Sequence, residues 1–216
     1  MLAGQVSGII NSRLRHPEDA GSNPAPAIKL SNKIILIEIL ILTYDTQTLI
    51  MKIFLTGRPG IGKSTVFKRI VDELKQRGLK VGGIVTPEIR ENGKRIGFEV
   101  IDLFSGKRGI LATVKYKTKI RFGKYFINLE SFEKIAIPAL NFASENCEVI
   151  GIDEIGKMEF FSEKFKQKLE EILESEKIVI TVLHRNFVER FKRYGKVIEV
   201  TLGNRENLPK EIISLI

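Results

Sequence analysis

The sequence predicts a three-layer α/β sandwich with a mainly parallel sheet and an antiparallel hairpin extension. Short apolar runs of strand type alternate with segments of helical periodicity through most of residues 51–216, as in a parallel sheet covered by helices. Between Arg95 and Val114, turns instead separate short alternating runs, which is typical of antiparallel hairpins. The third observation is the order strand, glycine loop, helix between Met51 and Arg77.

The composition is that of a globular chain with room for one domain and a tail. It has 216 residues, of which 43% are hydrophobic and 28% charged. The net charge of +9 falls on residues 51–216, because residues 1–50 hold four basic and four acidic residues. A single cysteine, Cys147, excludes an internal disulfide and a cysteine-cluster metal site. We expect a cytoplasmic monomer. The absence of Trp with abundant Lys, Glu and Ile is a composition seen in hyperthermophile proteins.

Residues 1–50 differ from the rest of the chain. Met1 to Ala27 has no sustained period and contains three prolines, so we expect it to be disordered. Ile34 to Leu42 is apolar apart from Glu38, but it is far shorter than the ~20 residues that span a bilayer. We expect no membrane span and no signal peptide, and interpret this run as an edge strand or short helix.

A second hypothesis is that residues 1–50 are not native. Gly21-Ser22-Asn23-Pro24 can be encoded by nucleotides that resemble the T-arm consensus of transfer RNA genes, and Met51 stands directly before the first strand. The predicted organisation is therefore a disordered or non-native extension, 1–50, and an α/β domain, 51–216.

The glycine loop predicts a phosphate site. Lys52 to Thr56 is an apolar strand, Gly57 to Ser64 matches G-x-x-x-x-G-K-[ST], and a helical pattern continues to Arg77. Glycines permit the left-handed conformations that bring N–H groups against phosphates, and the helix directs its positive end at them. Lys63 adds a charge that reaches the β and γ oxygens, and Ser64 offers a hydroxyl to Mg²⁺. The predicted phosphate-binding residues are Gly57, Arg58, Pro59, Gly60, Ile61, Gly62, Lys63, Ser64 and Thr65.

The next segment contains the predicted hairpins. Lys80 to Thr86 is a second strand, parallel to the first because one crossover helix separates them. Arg90 to Lys94 and Ser105 to Arg108 are turns, around the alternating run Arg95 to Phe104 and before the apolar run Gly109 to Val114.

A basic stretch follows the hairpins. Lys115 to Lys124 could form a positive rim that attracts a triphosphate or a nucleic acid, together with Lys94, Arg95, Lys107 and Arg108. The alternative is the solvated surface of a basic protein. The interleaved aromatic residues are more typical of a core than of a base-stacking surface.

A carboxylate pair predicts the second half of the site. Glu130 to Asn146 is a helix that kinks or restarts at Pro138, and Cys147 to Ile152 is a buried strand that ends at Asp153 and Glu154. At the carboxyl edge of the sheet, Asp153 would hold Mg²⁺ and Glu154 would deprotonate the attacking water. We assign Lys63 and Glu154 as catalytic, and Ser64 and Asp153 as metal ligands.

The last elements bring one more polar residue to this edge. Phe161 to Ser175 is an amphipathic helix, and Lys177 to Leu183 is a buried strand followed by His184. His184 either senses the γ-phosphate or belongs to a helix cap, for which Asn186 is a good N-cap residue. A strand, Val197 to Thr201, and a terminal helix, Asn207 to Ile216, complete the chain.

From Met51 to about Asn207 the sequence resembles the nucleoside-triphosphatases first described in thermophiles, whose vertebrate members are called cancer-related NTPases. The resemblance rests on GRPGIGKST (57–65), GGIVTPEIRENGKRIGFEVIDLFSG (82–106), GKYFIN (123–128) and DEIGKMEF (153–160). It implies a P-loop NTPase sandwich and Mg²⁺-dependent hydrolysis of ATP, GTP and other nucleoside triphosphates, with loose base selectivity. Carried over, residues 57–65 bind phosphate, Asp153 serves the metal and Glu154 is the base. Residues 1–50 match nothing in the family.

Three other classes of protein remain open. A small-molecule or nucleotide kinase would use the same loop with the basic insert as a lid, but would need an acceptor pocket. A signalling GTPase would use Asp153-x-x-Gly156 as a switch, but no N-K-x-D motif follows to read guanine. A nucleic-acid-binding ATPase is motivated by the charge of +9.

Overall fold

A mixed ten-stranded sheet forms the middle layer of the protein. The computed structural model describes residues 51–216, so the predictions of disorder, of an edge strand or short helix, and of a non-native origin for residues 1–50 lie outside the described residues. In chain order the strands are β1 (Lys52–Thr56), β2 (Val81–Val85), β3 (Glu88–Glu91), β4 (Lys94–Asp102), β5 (Arg108–Thr113), β6 (Ile120–Phe122), β7 (Tyr125–Ile127), β8 (Val149–Ile155), β9 (Ile178–Leu183) and β10 (Lys196–Glu199). The α-helices are α1 (Lys63–Gln76), α2 (Leu129–Asn146), α3 (Glu163–Glu174), α4 (Val188–Phe191) and α5 (Leu208–Ile213).

The sheet has a parallel half and an antiparallel half. The strands β10, β1, β9, β8 and β2 lie side by side in that order and are all parallel. The strands β4, β5, β7 and β6 continue the sheet beyond β2 with antiparallel pairing, and β3 pairs with β4 outside this order. This arrangement confirms the predicted mainly parallel sheet with an antiparallel extension.

Helices cover both faces of the sheet, so the predicted three layers are confirmed. Along β1, Ile53 and Leu55 point to the face where α1 and α5 pack, whereas Phe54 points to the face where α2 and α3 pack. This alternation follows from the two-residue period of a strand. Two apolar cores result, one on each side of the sheet. None of the helices between residues 51 and 216 is long and apolar enough to cross a membrane.

Three local predictions need correction. Of the predicted kink or restart at Pro138, the restart is wrong, because Pro138 is exposed and lies inside one continuous helix whose residues Ala136, Ala139 and Leu140 are buried in the core. The strand β8 does not end at Ile152 but runs to Ile155, so that it contains both carboxylates of the Asp-Glu pair. The helix that was expected from Phe161 begins two residues later, because a 3₁₀ turn, Glu159–Phe161, precedes it.

Candidate active site

The glycine loop joins β1 to α1 and has the conformations that its glycines permit. Gly57 has φ 140°, and a Cβ there would lie 2.8 Å from the carbonyl oxygen of Val200, so any side chain would collide with backbone. Gly62, with φ 107°, is the N-cap of α1. Of the other predicted loop residues, Arg58, Pro59, Gly60 and Thr65 are exposed and Ile61 is half-buried.

The first turn of α1 offers backbone donors that no side chain of the described residues satisfies. The N-cap of α1 makes no side-chain hydrogen bond, and its first turn contains no acidic residue. In contrast, Asn128 caps α2 and Ser162 caps α3, and each of those helices has a glutamate in its first turn. Because the early N–H groups of a helix lack partners within the helix, the start of α1 is suited to bind an anion.

Lys63, the first residue of α1, folds back over the loop. Its Nζ donates to the carbonyl oxygens of Gly57 and Arg58, each at 3.2 Å. An ammonium group has three donors, so one remains after these two contacts. The loop therefore holds a positive charge beside the backbone donors of α1.

Ser64 connects the loop to the carboxylate pair. Its Oγ donates to Oδ1 of Asp153 at 3.2 Å, across 89 residues of sequence. Burial raises the pKa of Asp153 to about 6, an effect reinforced by the nearby Glu154 carboxylate and opposed by the Ser64 hydrogen bond and by Lys63. A hydroxyl beside a carboxylate that is short of positive charge is a donor set that suits a hard divalent cation such as Mg²⁺.

Glu154 lies at an irregularity of β8. Asp153 pairs with Val182 and Ile155 with Leu183, the next residue of β9, so Glu154 is the extra residue of a bulge. Bulges often redirect a side chain next to active sites. Burial raises the pKa of Glu154, and the charge of Lys63 opposes this effect. A carboxylate with a raised pKa is a better proton acceptor near neutral pH.

His184 follows β9, the strand that lies between β1 and β8. Its Nδ1 accepts a hydrogen bond from the backbone N–H of Asn186 at 3.3 Å, so the predicted cap is made by His184 and not by Asn186. Burial lowers the pKa of His184, and the charges of Lys157, Arg185 and Lys63 lower it further. A neutral imidazole that accepts at Nδ1 carries its proton on Nε2, so His184 is an uncharged donor near Lys63.

Two residues of this site were not assigned as functional from the sequence. Thr86 follows β2, and its Oγ1 contacts the backbone of Asp153 and Glu154 and the carboxyl group of Glu159. Thr86 had a usable signal, because it ends a predicted parallel strand and ligand sites lie at the carboxyl edge of such sheets. Glu159 stands between Met158 and Phe160 in the DEIGKMEF motif, but its burial could not be predicted, since glutamates are mostly exposed.

Three of the nine basic residues in the predicted rim form ion pairs within the hairpins. Arg95 pairs with Glu88, and Arg108 pairs with Glu99. Lys115 forms an ion pair with Glu91. These contacts favour the interpretation of a solvated surface for the residues involved, and nucleic-acid binding stays a prediction.

Comparisons with known proteins agree with this geometry. A family model described as NTPase matches residues 52–213. The nucleoside-triphosphatase THEP1 of Methanocaldococcus jannaschii is 43% identical over 166 residues, which cover 77% of this chain and 97% of that protein. The protein of the same name from Pyrococcus abyssi is 44% identical over 163 residues, covering 76% of this chain and 90% of its own length.

Two solved structures are also similar. The crystal structure of THEP1 from the hyperthermophile Aquifex aeolicus has a TM-score of 0.68 and 35% identity, covering 76% of this chain and 98% of that one. The solution structure of a human cancer-related nucleoside triphosphatase has a TM-score of 0.66 and 37% identity, and the match covers 76% of this chain and 96% of that one. The family model and the relatives identify the chain as a member of the NTPase family that includes the THEP1 nucleoside-triphosphatases, the family that its sequence resembles.

Proposed function

We propose that this protein is a Mg²⁺-dependent nucleoside-triphosphatase that hydrolyses ATP, GTP and other nucleoside triphosphates to the diphosphate and phosphate. The observation that carries the proposal is the 3.2 Å contact between Ser64 and Asp153. It joins the phosphate loop to the strand that carries Glu154, so that donors for the triphosphate and an acceptor for the proton of water lie in one site. Names of the relatives support the same reaction.

The residues divide into binding and chemistry. The first-turn N–H groups of α1 and Lys63 bind the β- and γ-phosphates. Glu154 accepts a proton from water while the water oxygen bonds to the γ-phosphorus and the bond from that phosphorus to the bridging oxygen breaks. The leaving diphosphate keeps that electron pair, and Lys63 neutralises part of its charge.

The metal ligands in this proposal are the Ser64 hydroxyl and the Asp153 carboxylate, the latter directly or through water. Mg²⁺ would neutralise phosphate charge and orient the γ-phosphate. Its positive charge would also stabilise the ionised form of Asp153, which burial disfavours. We further propose that the protein acts as a monomer in the cytoplasm, where the single buried Cys147 would stay reduced.

The test is phosphate release from each of the four ribonucleoside triphosphates, measured with Mg²⁺ and with EDTA. We expect turnover with all four in Mg²⁺ and loss of turnover in EDTA. Parallel reactions contain RNA or candidate phosphoryl acceptors. Transfer to an acceptor without phosphate release would identify a kinase, and turnover that requires RNA would identify a nucleic-acid-dependent ATPase. Turnover that continues in EDTA would show that hydrolysis does not depend on Mg²⁺.

A further inference from the structure

A threonine outside the phosphate loop lies at the centre of the contacts around the carboxylate pair. Thr86 Oγ1 is 2.9 Å from the carbonyl oxygen of Asp153, and it accepts a hydrogen bond from the backbone N–H of Glu154 at 3.2 Å. The same oxygen is 3.0 Å from Oε1 of Glu159. One hydroxyl thus contacts the backbone of the proposed metal ligand, the backbone of the proposed base and the carboxyl group of Glu159.

The proton and both lone pairs of the Thr86 hydroxyl all have partners when Glu159 is a neutral acid. A threonine hydroxyl has one proton to donate and two lone pairs that accept. If Thr86 donates to the Asp153 carbonyl and accepts from the Glu154 N–H, its second lone pair is left for a proton on Glu159. An ionised Glu159 would instead take the hydroxyl proton, which would leave the Asp153 carbonyl oxygen with the backbone N–H of Thr86 as its donor.

The surroundings of Glu159 favour this neutral form. Its side chain is 4% exposed, and it is not among the carboxylates of the described residues that form ion pairs. Burial raises the pKa of Glu159 to about 8; the charges of Glu154 and Asp153 add to this rise, and hydrogen bonds from its own backbone and from Thr86 oppose it. The neutral acid is therefore available as the donor that Thr86 requires.

Gly156 permits the two glutamates to approach each other. A Cβ at Gly156 would lie 2.7 Å from Oε2 of Glu159 and 2.8 Å from Oε1 of Glu154. Both carboxyl groups therefore border the same small space. Glu159 contacts Thr86 with one oxygen and faces the side of Glu154 with the other.

We propose that Thr86 and Glu159 are positioning residues, which hold the Asp153–Glu154 peptide so that the Glu154 carboxylate is aligned with the attacking water. This inference rests on the proposed function. Neither residue touches the phosphates in this scheme, so their loss should lower the rate of hydrolysis and leave nucleotide affinity unchanged. Displacement of a base by a fraction of an ångström to one ångström costs up to about 100-fold in rate, and loss of supporting contacts about 10–100-fold.

The experiment compares substitutions that keep the hydrogen bonds with matched ones that remove them. Thr86→Val has nearly the shape of threonine without the hydroxyl, whereas Thr86→Ser retains it. Glu159→Met removes the donor at similar length, whereas Glu159→Gln keeps a neutral donor. Each variant is assayed for single-turnover hydrolysis, for equilibrium binding of a fluorescent nucleotide triphosphate and for Tm.

We expect Thr86→Val and Glu159→Met to lower the single-turnover rate about 10–100-fold with a nucleotide Kd within about two-fold of the parent. Thr86→Ser and Glu159→Gln should stay within about three-fold in rate. A Thr86→Val rate equal to that of an active parent overturns the inference, and so does an equal loss in rate and affinity. If Glu159→Met does not fold, the comparison of Thr86→Val with Thr86→Ser alone tests the inference.

A structural measurement separates this inference from the reaction itself. An inactive parent would contradict the proposed function, and the crystal structure of Thr86→Val would still test the inference. We expect the Asp153–Glu154 peptide to shift in that variant. An unmoved peptide would overturn the positioning role whatever the substrate is.

Discussion

Lys63 and Glu154 lie in one site but contact different groups. Nζ of Lys63 rests on two carbonyl oxygens of the loop, at the place where phosphates would bind. Glu154 lies on β8 and contacts Thr86 through its backbone N–H. In the proposed mechanism, phosphate binding and activation of water therefore depend on different residues, so substitutions can distinguish the two roles.

Glu154→Gln should abolish hydrolysis and keep nucleotide affinity, whereas Lys63→Ala should lose both. Loss of a general base costs about 10²–10⁴-fold in rate, and glutamine leaves the shape of the site unchanged. The amine of Lys63 contributes to the ground state as well as to the transition state, so its removal weakens binding. Single-turnover hydrolysis beside equilibrium binding of a labelled nucleotide measures the two effects.

The matched control is Glu174→Gln, which changes an exposed glutamate at the end of α3 and should alter neither rate nor affinity. If Glu154→Gln turns over within a few-fold of the parent, the base is another group. His184 would then be the first residue to test.

Glu159 should make stability depend on pH in a direction that is unusual for a carboxyl group. Its pKa rises from an ordinary 4.5 to about 8 in the folded chain, so the folded state holds a proton that the unfolded state releases. The stabilisation is complete below pH 4.5 and is lost as the pH rises toward 8. Glu159→Gln cannot titrate, so the parent should lose Tm relative to this variant between pH 5 and pH 9. A Tm difference that stays constant over that range would show that Glu159 is ionised in the folded protein.

At the residue scale, the sequence predicts the site only where chemistry follows a motif. Lys63, Ser64 and Asp153 are predicted because their residue types and spacing are those that a phosphate and a cation require, and the structure brings Ser64 and Asp153 into contact. Thr86 and Glu159 depend on contacts between segments that lie 67 and 73 residues apart. No local pattern shows that β2 and β8 become neighbours, so these contacts needed the structure.

The uninterrupted helix α2 makes a prediction at the scale of elements. Pro138 lies within Leu129–Asn146 and is exposed, so it removes the hydrogen bond to the carbonyl of Lys134 without a compensating contact in the core. Proline in a helix interior lowers the free energy of unfolding by about 3 kcal/mol. Proline also restricts the unfolded chain, which offsets about 0.4–1 kcal/mol of that loss. Pro138→Ala should raise Tm by several degrees, at about 2–4 °C per kcal/mol.

Thermal unfolding followed by circular dichroism checks this expectation, with Lys134→Ala as a control at an exposed position of the same helix. Lys134→Ala should leave Tm nearly unchanged. A lower Tm for Pro138→Ala would mean that the proline ring makes a stabilising contact, and that the helix is adapted to it.

Predictions of elements succeeded where the hydrophobic period was strong. The strands β1, β2 and β9 and the helices α1 and α3 are amphipathic or buried, and each was found within a few residues. The hairpin of β6 and β7 was not found, because its strands have three residues each and lie in or next to the basic stretch Lys115 to Lys124. Such short strands are stabilised by pairing and packing with neighbouring strands, and their own hydrophobic pattern does not predict them.

At the scale of the whole molecule, the two halves of the sheet have different contents. The parallel half carries the glycine loop, the carboxylate pair and His184 at its carboxyl edge, as expected for such sheets. The antiparallel half carries the hairpins and four ion pairs, which join Glu88 to Arg90 and Arg95, Glu99 to Arg108, and Glu91 to Lys115. The strand β2 borders both halves, and Thr86 directly follows it.

Removal of residues 1–50 should leave Tm and turnover nearly unchanged. The family model matches residues 52–213, and the match to the Methanocaldococcus jannaschii protein covers 97% of that protein with 77% of this chain. Differential scanning fluorimetry and phosphate release on the full chain and on residues 51–216 test the prediction. Aggregation or loss of most activity in the shorter chain would show that the segment belongs to the fold.

The backbone donors in the first turn of α1 have a consequence for how the enzyme behaves as its reaction proceeds. In the proposed mechanism, those N–H groups and Lys63 bind a tetrahedral oxyanion and not the nucleoside attached to it. Inorganic phosphate, one of the two products, should therefore compete with substrate, and progress curves should slow before substrate is exhausted. Initial rates at rising phosphate should show an increase in apparent KM at constant kcat. A coupled assay that consumes phosphate should restore linear progress, and sulfate buffers should mimic the inhibition.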